Sequence, residues 1–380
     1  MVPRDPAEAN RAATPLELFF DLVFAIAVGQ AASELRGALS AGEVLHGLTS
    51  YATAFFAVWW AWMNFSWFAS SFDVDDWLYR VLTIVQMAGV LVVAAGVGAA
   101  FERSDFTIVV AGYVLMRLVM VAQWLRASRS SADHRRTAVA YASGIALLQV
   151  LWVAMLTLPV SAIRPAVAVL IFCEVTVPVV AERIGPTPWH PHHITDRYSS
   201  FTLILLGESL LASAGTIIGA HKERQAFGSL VALAVGAFLI TAALWWIYFW
   251  PPHHSAVRGA RAAFRYGYVH YFVFAAAGAF SAGVGVQTDL LAGTSKLSGF
   301  TASFTVTVPV ALFILAIWWI ALRAYARPPV NVAVPLCALL VLADPVMPVS
   351  VVLTALLCTA LVVVLVLNPP GRPGPEMHEP

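Results

Sequence analysis

Stretches of about 20 consecutive apolar residues recur along the chain, and no other feature limits the fold so strongly. A helix that rises 1.5 Å per residue needs roughly that length to cross a hydrocarbon core about 30 Å thick. Only 11% of the 380 residues are charged and 60% are hydrophobic, whereas a soluble domain carries roughly 25% charged residues. Runs such as Leu91 to Ala100 lack the alternating polarity of a transmembrane β-strand. We therefore predict an all-α integral membrane protein whose main partner is the lipid bilayer.

The apolar stretches predict about twelve membrane spans. They are 16 to 35, 44 to 69, 79 to 101, 106 to 126, 137 to 158, 163 to 182, 198 to 219, 228 to 250, 266 to 288, 300 to 322, 330 to 344 and 347 to 367. The eleventh is short and is interrupted by Pro335 and followed by Pro345, so its fusion with the twelfth into one hairpin would reduce the count to eleven.

The basic residues predict the orientation. Most Lys and Arg residues fall in loops on the side of the N-terminus, which places both termini in the cytoplasm. The first 13 residues lack the apolar core of a cleavable signal peptide. The formal net charge is +1, and no nucleic-acid motif is present, so no nucleic-acid partner is expected.

Two parts of the sequence resemble each other and indicate an internal duplication. Asp21 precedes the pair beginning at Trp59 by 38 positions, and Glu208 precedes the pair at Trp245 by 37. Both halves then contain a small-residue segment, centred on Gly96 and Gly283. Chance similarity between apolar segments is the alternative. We predict a cytoplasmic segment 1–13, a six-helix half 14–185, a linker 186–195, a parallel second half 196–367 and a disordered tail 368–380.

Five ionisable residues within the predicted spans are the candidate transport or ion-binding sites. Each costs on the order of 3 kcal/mol near the bilayer centre and so needs a reason to be there. They are Asp21, Glu208, Glu17, Arg117 and Glu174. Glu208 is the first candidate for a functional acid, in a context of small residues that permits close helix approach.

Three of the other candidates, Glu17, Asp21 and Arg117, each have a structural alternative. Glu17 and Asp21 lie four positions apart on one helix face, where two carboxylates could share a proton or a cation. Alternatively, Glu17 is a first-turn acid favoured by the helix dipole, and Asp21 pairs with a basic residue elsewhere. Arg117 either binds an anionic substrate group or forms a fixed salt bridge with Asp21 or Glu174.

Histidines are the only candidates for metal binding, and we predict no metal site and no cofactor. His192 and His193 lie in one predicted loop and His253 and His254 in another, where imidazoles could bind zinc. No thiolate supports such a site, since the three cysteines fall inside apolar segments.

The aromatic groups Trp59, Trp60, Trp62, Trp67 and Trp245, Trp246, Tyr248, Trp250 are most simply interpreted as membrane-interface residues. No phosphate-binding loop, nucleophile elbow or zinc-protease motif is present, so we do not expect an enzyme.

The two acidic motifs carry a family resemblance. The segments TPLELFFDLVFAIA, from Thr14, and HITDRYSSFTLILLGESL, from His193, together resemble the bacterial low temperature requirement protein A family (LtrA) over nearly the whole chain. Family members usually show Glu where this chain has Asp196, and Gly where it has Ser199. The resemblance implies a multi-pass protein of the bacterial inner membrane linked by name to growth in the cold, and it implies no particular substrate.

Three functions agree with these observations. The leading hypothesis is a secondary transporter of a small solute or ion, with intramembrane carboxylates as proton or cation sites. The first alternative is a cation channel, since the segment from Phe20 also resembles the pore helix of lysosomal and bacterial potassium channels. The second is a non-transporting membrane scaffold or sensor for cold adaptation. The sequence does not indicate the oligomeric state.

Overall fold

A computed structural model describes residues 1–5, 12–103, 105–222, 227–257, 259–347 and 350–370. These residues form twelve α-helices and one short pair of β-strands. The helices are α1 Pro15–Ser40, α2 Val44–Ser71, α3 Trp77–Arg103, α4 Thr107–Ser130, α5 Arg135–Met155, α6 Val160–Ile184, α7 Pro191–Lys222, α8 Phe227–Phe249, α9 Ala260–Leu291, α10 Gly299–Ile317, α11 Pro328–Ala343 and α12 Ser350–Leu367. The prediction of an all-α protein is therefore confirmed.

Each predicted span corresponds to one of these helices. Within the described ranges, nine helical segments are long and apolar enough to cross a membrane, and α2, α7 and α12 are not among them. The helix α12 has a described apolar part of only 17 residues, from Val351 to Leu367. A membrane protein with many spanning helices is thus supported, and the number of crossings stays a prediction.

The predicted break between the last two spans separates two helices. The helix α11 ends at Ala343, a 3-10 turn follows at Asp344–Val346, and α12 begins at Ser350. Pro345 lies within that turn, where its ring prevents the helix from continuing. Pro335 is tolerated inside α11.

The second predicted half begins earlier than the sequence suggested. The helix α7 begins at Pro191, inside the predicted linker 186–195, so the stretch between α6 and α7 spans only 185 to 190. Proline favours the first helical position because its missing N–H is not needed there. As a consequence, His192 and His193 lie in the first turn of a helix, not in a loop.

The N-terminus forms the short strand pair that the sequence did not predict. The strand β1 (Val2–Pro3) pairs antiparallel with β2 (Phe72–Asp73) at the end of α2. Arg4 extends this contact through an ion pair with Asp73, Nη2 to Oδ1, at 2.5 Å. Most of the predicted cytoplasmic segment, residues 6–11, and the predicted disordered tail from 371 onward lie outside the described residues.

The chain divides into two compact units. Unit 1 comprises Met1–Ala31 and Ser50–Phe201, and unit 2 comprises Ala32–Thr49 and Thr202–Pro380. The division falls within α1, α2 and α7, so each of these helices contributes to both units.

Glycines allow close helix packing inside each unit. In unit 1, a Cβ on Gly112 of α4 would come within 2.6 Å of the Gly89 carbonyl oxygen of α3. Gly96 likewise lies against Val109 of α4, where an added Cβ would be 2.8 Å from the backbone nitrogen. In unit 2, a Cβ on Gly283 of α9 would be 2.1 Å from the Thr305 carbonyl oxygen of α10. Gly96 and Gly283 therefore both allow neighbouring helices to approach closely.

Candidate functional site: buried charge clusters

Glu17 and Asp21 lie one turn apart near the start of α1, and both are buried in unit 1, with exposed fractions of 1% and 0%. Glu17 closes a capping box with Thr14. The Thr14 backbone N–H donates to Glu17 Oε2 at 2.7 Å, and the Glu17 N–H donates to Thr14 Oγ1 at 3.3 Å. Glu17 therefore occupies the position of a first-turn acid, as one of the two interpretations of the sequence held.

Arg197 of α7 supplies the positive charge beside these acids. Its Nη2 donates to Asp21 Oδ1 at 2.5 Å, and its Nη1 lies 3.6 Å from Glu17 Oε1. The guanidinium is fully buried, between the rings of Trp62 and Phe65 at 5.9 and 5.8 Å from their centroids. Asp21 is thus paired with a basic residue far along the chain, which was the structural alternative for this acid.

Two further side chains complete this group. The Trp62 indole N–H donates to Asp21 Oδ1 at 2.7 Å. His193, in the first turn of α7, places Nε2 within 3.3 Å of Glu17 Oε1 and 3.4 Å of Oε2. We call Glu17, Asp21, Trp62, His193 and Arg197 the Asp21 cluster. It contains two carboxylates, one permanent cation and one imidazole, all shielded from solvent.

A second buried group in unit 1 is built around Glu174 of α6. The buried residues of this helix, Val167, Leu170, Glu174, Pro178 and Ala181, follow one another at intervals of three or four and so form a single stripe. Arg117 of α4 donates from Nη2 to Glu174 Oε2 at 2.9 Å. Of the two salt-bridge partners considered for Arg117, Glu174 is therefore the one that it contacts.

Three neutral donors share the Glu174 carboxylate with Arg117. The Trp60 indole N–H donates to Oε2 at 2.9 Å, and the Trp152 indole N–H donates to Oε1 at 3.2 Å. Gln149 Nε2 lies 3.4 Å from Oε1. We call these five residues the Glu174 cluster. One carboxylate faces one guanidinium, so its charges balance, and four donors from the three helices α2, α4 and α5 hold the carboxylate of α6 in place.

Glu208 differs from the other acids. It lies in unit 2, on α7, and is only partly buried. Its carboxylate makes no hydrogen bond or ion pair with the residues that the structure describes, while its backbone carbonyl accepts a bond from Ser281 Oγ of α9 at 3.2 Å. Among the predicted site acids, Glu208 is therefore the one whose side chain is available to a solute or cation.

Unit 2 also contains a crossed network of two tyrosines and two histidines. Tyr248 bonds to both histidines, through its hydroxyl to His270 Nε2 at 3.1 Å and through its carbonyl to His253 Nε2 at 2.6 Å. Tyr266 does the same, through its hydroxyl to His253 Nδ1 at 3.0 Å and its carbonyl to His270 Nδ1 at 2.7 Å. We call these four residues the His-Tyr network.

His253 lies between α8 and α9, and its environment keeps it neutral. Burial lowers the pKa of His253 to about 4, although the bond to the Tyr248 carbonyl raises it and the neighbouring His254 lowers it further. Because a carbonyl only accepts, Nε2 carries the hydrogen and Nδ1 accepts from the Tyr266 hydroxyl. The ring therefore links α8 to α9 and takes up no proton near neutral pH.

The four histidines considered as metal ligands either contact other protein groups or lie exposed on the surface. His193 contacts Glu17, His253 belongs to the His-Tyr network, and His192 and His254 are exposed. No group of three or more His, Cys, Asp and Glu residues within the described ranges is arranged to hold a metal ion. The three cysteines are free thiols.

Three members of the first tryptophan group do not lie on the protein surface, as the membrane-interface interpretation would require. Trp59, Trp60 and Trp62 are buried, because their indoles fill the space between helices and two of them satisfy buried carboxylates. Trp245 and Trp246, at the matching positions of the second half, are exposed by 44% and 42%. The paired motifs therefore occupy different environments.

The comparison with known proteins decides the family. The family model described as bacterial low temperature requirement A protein matches residues 12–367 of the chain. The chain belongs to the bacterial low temperature requirement A family. An uncharacterized protein of Rhizobium meliloti (strain 1021) is 27% identical to this chain over 266 residues. That alignment covers 65% of this chain and 60% of the relative. No solved structure matches significantly.

Both segments that carry the low temperature requirement A resemblance meet in the Asp21 cluster. The first supplies Thr14, Glu17 and Asp21, and the second supplies His193 and Arg197. Asp196, where the family usually has Glu, keeps an acceptor role, since its Oδ2 accepts from the Ala13 backbone N–H at 2.9 Å.

Sequence reasoning missed three participants in the site. Arg197 was noticed only as part of a motif, His193 only as a metal candidate, and Trp62 only as an interface residue. The spacing of these residues could have predicted the site. His193 and Arg197 are four positions apart and so share a helix face, as do Glu17 and Asp21. Two helices with such spacing present complementary charges when they pack.

Proposed function

We propose that this low temperature requirement A protein is a secondary transporter of a small solute or ion in the bacterial inner membrane. In this proposal the chain crosses the membrane about twelve times as two parallel six-helix halves, with both termini in the cytoplasm. The protein needs no catalysis and no cofactor for this role.

The observation that carries the proposal is the charge content of the Asp21 cluster. Two carboxylates and one guanidinium are fully buried together, so the cluster gains neutrality by binding one more positive charge. A site that binds and releases a cation within the membrane is the element that couples a carrier to an ion gradient.

The predicted site residues take different roles in the proposal. Glu17 and Asp21 bind the coupling cation, and Glu208, whose carboxylate has no partner among the described residues, contacts the solute or a second cation. Arg117 and Glu174 neutralise each other and hold four helices together, so they serve the structure and not transport.

Two observations support a duplicated arrangement. Gly96 lets α3 approach α4 in the first half, and Gly283 lets α9 approach α10 in the second, at matching places in the sequence. In this proposal the two halves have unequal tasks, because Asp21 and Glu208 lie in different surroundings.

Flux through proteoliposomes tests the proposal. Purified wild type, Asp21→Asn, Glu208→Gln and the matched control Glu43→Gln, an exposed carboxylate in the turn after α1, are reconstituted with a pH-sensitive dye inside. A panel of cations and small solutes is added outside. We expect saturable, gradient-driven flux in wild type and the control, and at least a tenfold loss in the two variants while they remain folded.

Other outcomes separate the alternatives. Ion flux that does not saturate and needs no coupled gradient would establish a cation channel instead. Absence of flux for every tested solute, with Glu208→Gln either unfolded or unchanged in stability, would overturn the transporter and leave a scaffold or sensor.

A further inference from the structure

We propose that the ion bound by the Asp21 cluster is a proton and that Glu17 and His193 hold it between them. The proposal rests on the transporter function for its biological meaning, since it names the coupling ion of that site. It goes further because it excludes a metal cation and assigns a proton-binding role to His193.

Charge balance within the cluster sets the stoichiometry. Arg197 is bonded to Asp21 at 2.5 Å and stands farther from Glu17, at 3.6 Å, so Asp21 takes most of its compensation. Glu17 also lies 3.3 Å from His193 Nε2, on a side chain that can become positive. One proton on this pair makes the cluster neutral, and two would leave an excess of buried positive charge.

The atoms around the carboxylates suit a proton and not Na⁺ or K⁺. Hard cations need a shell of several oxygen ligands. Here Asp21 Oδ1 accepts from Arg197 and Trp62, and Glu17 Oε2 accepts from the Thr14 N–H. These donors are N–H groups, which cannot coordinate a metal ion. The buried guanidinium would also repel it.

Several described side chains surround the pair, including Trp62 of α2, which donates to Asp21. The helix α1 presents Glu17 and Asp21, and α7 presents His193 and Arg197. His190 directly precedes α7, and its Nδ1 lies 3.3 Å from the His193 backbone nitrogen. From α3, Tyr79 acts electrostatically on Arg197.

The protein also stabilises the cluster without its proton. Glu17 lies in the first turn of α1, and a helix N-terminus favours negative charge. The capping box with Thr14 adds a charge-assisted bond to Glu17. Both protonation states therefore have compensating interactions, which a site that must load and unload an ion requires.

Histidine-selective ¹⁵N NMR of the purified full-length protein tests the assignment without any transport measurement. The chain has ten histidines, and the His193 signal is identified by its loss in His193→Gln. His192→Gln identifies the exposed neighbour as the matched control. Both rings are followed from pH 9 to pH 5 in wild type and in Glu17→Gln, with folding checked by size exclusion.

We expect His193 to titrate in wild type, with a midpoint that moves to lower pH by about 1 unit or more in Glu17→Gln, because the protonated ring loses its carboxylate. The His192 midpoint should stay unchanged. Exchange of the buffer cation among Na⁺, K⁺ and N-methylglucamine at constant ionic strength should leave both midpoints in place.

Two results would overturn the proton site: a His193 midpoint that Glu17→Gln does not move, or one that Na⁺ or K⁺ displaces by competing for the acids. Failure of the transporter is recognised separately. If His193 and Glu17 titrate together but the proteoliposomes show no flux, the proton site stands and the transport function falls. If the proteoliposomes show flux but Glu17→Gln does not move the His193 midpoint, the transport function stands and the proton site falls.

Discussion

Trp60 and Trp62 project from opposite sides of α2, and each donates its indole N–H to a different buried carboxylate, Glu174 at 2.9 Å and Asp21 at 2.7 Å. Residues two positions apart on a helix point about 200° apart. One turn of α2 thereby links the Glu174 cluster to the Asp21 cluster within unit 1.

This arrangement predicts the effect of removing each indole nitrogen. Trp60→Phe and Trp62→Phe should each lower the free energy of unfolding by about 1.5–3 kcal/mol, because a bond to a charged acceptor is lost. Trp67→Phe is the control, since Trp67 donates to the neutral Tyr198 hydroxyl at 3.1 Å and should cost about 0.5–1.5 kcal/mol. Thermal unfolding in detergent measures the difference. Equal losses for all three would contradict the assigned role of the carboxylates.

The buried ion pair of Arg117 and Glu174 predicts that loss of its positive charge costs much more stability than loss of an exposed charge. Arg117→Met should destabilise the protein by about 3–5 kcal/mol, because it leaves the Glu174 carboxylate buried without its counter-charge. Glu43→Met, at an exposed turn position, should change stability by less than about 0.5 kcal/mol. If Arg117→Met instead folds normally and loses flux, the pair belongs to the transport path.

His253 predicts a stability that depends on pH. Its pKa of about 4 in the folded protein lies below the ordinary value of 6.5, so at intermediate pH the unfolded chain binds a proton that the folded chain does not. The contribution of His253 is complete above pH 6.5 and is lost as the pH falls to 4, by roughly 3 kcal/mol in total. In His253→Gln, the thermal unfolding midpoint should therefore depend less on pH between 6.5 and 4 than it does in wild type. If the midpoint changes with pH by the same amount in the variant and in wild type, other groups cause the pH dependence.

Gly283 predicts the tightness of the contact between α9 and α10. Gly283→Ala should destabilise by about 1–3 kcal/mol, because the new Cβ would meet the Thr305 carbonyl oxygen. Gly207→Ala, in α7 with nothing within 4 Å of the added Cβ, should be neutral or stabilise by up to about 1 kcal/mol. Unfolding midpoints of the two variants measured side by side test this contrast.

Hydrophobic runs were sufficient to predict all twelve helices, because the length of an apolar stretch and its flanking breaks are local properties. The start of α7 at Pro191 was not predicted, because the first turns of this helix are polar and charged and so do not extend the apolar run. The strand pair of Val2 with Asp73 depends on a contact 71 positions apart, which no local pattern contains.

The candidate site was predicted in its acids but not in its partners. Asp21, Glu17 and Glu174 were recognisable because charge is rare in apolar segments. Their partners had ordinary explanations where they stood in the sequence: His193 as a loop residue, Trp60 and Trp62 as interface residues. These roles arise from contacts between helices: α2 and α7 meet α1 at Asp21, and α2, α4 and α5 meet α6 at Glu174.

Asp21 and Arg197 are separated by 176 positions, and this separation has a consequence for biogenesis. At 5–20 residues per second, a ribosome needs roughly 10–35 s to reach Arg197 after it has made Asp21. Throughout that interval Glu17 and Asp21 lack the guanidinium of Arg197, so water, protons or the insertion machinery must shelter them. Completion of α7 is therefore the event that allows the first helix to settle in the bilayer, and nascent chains truncated before Arg197 should be held back from that step.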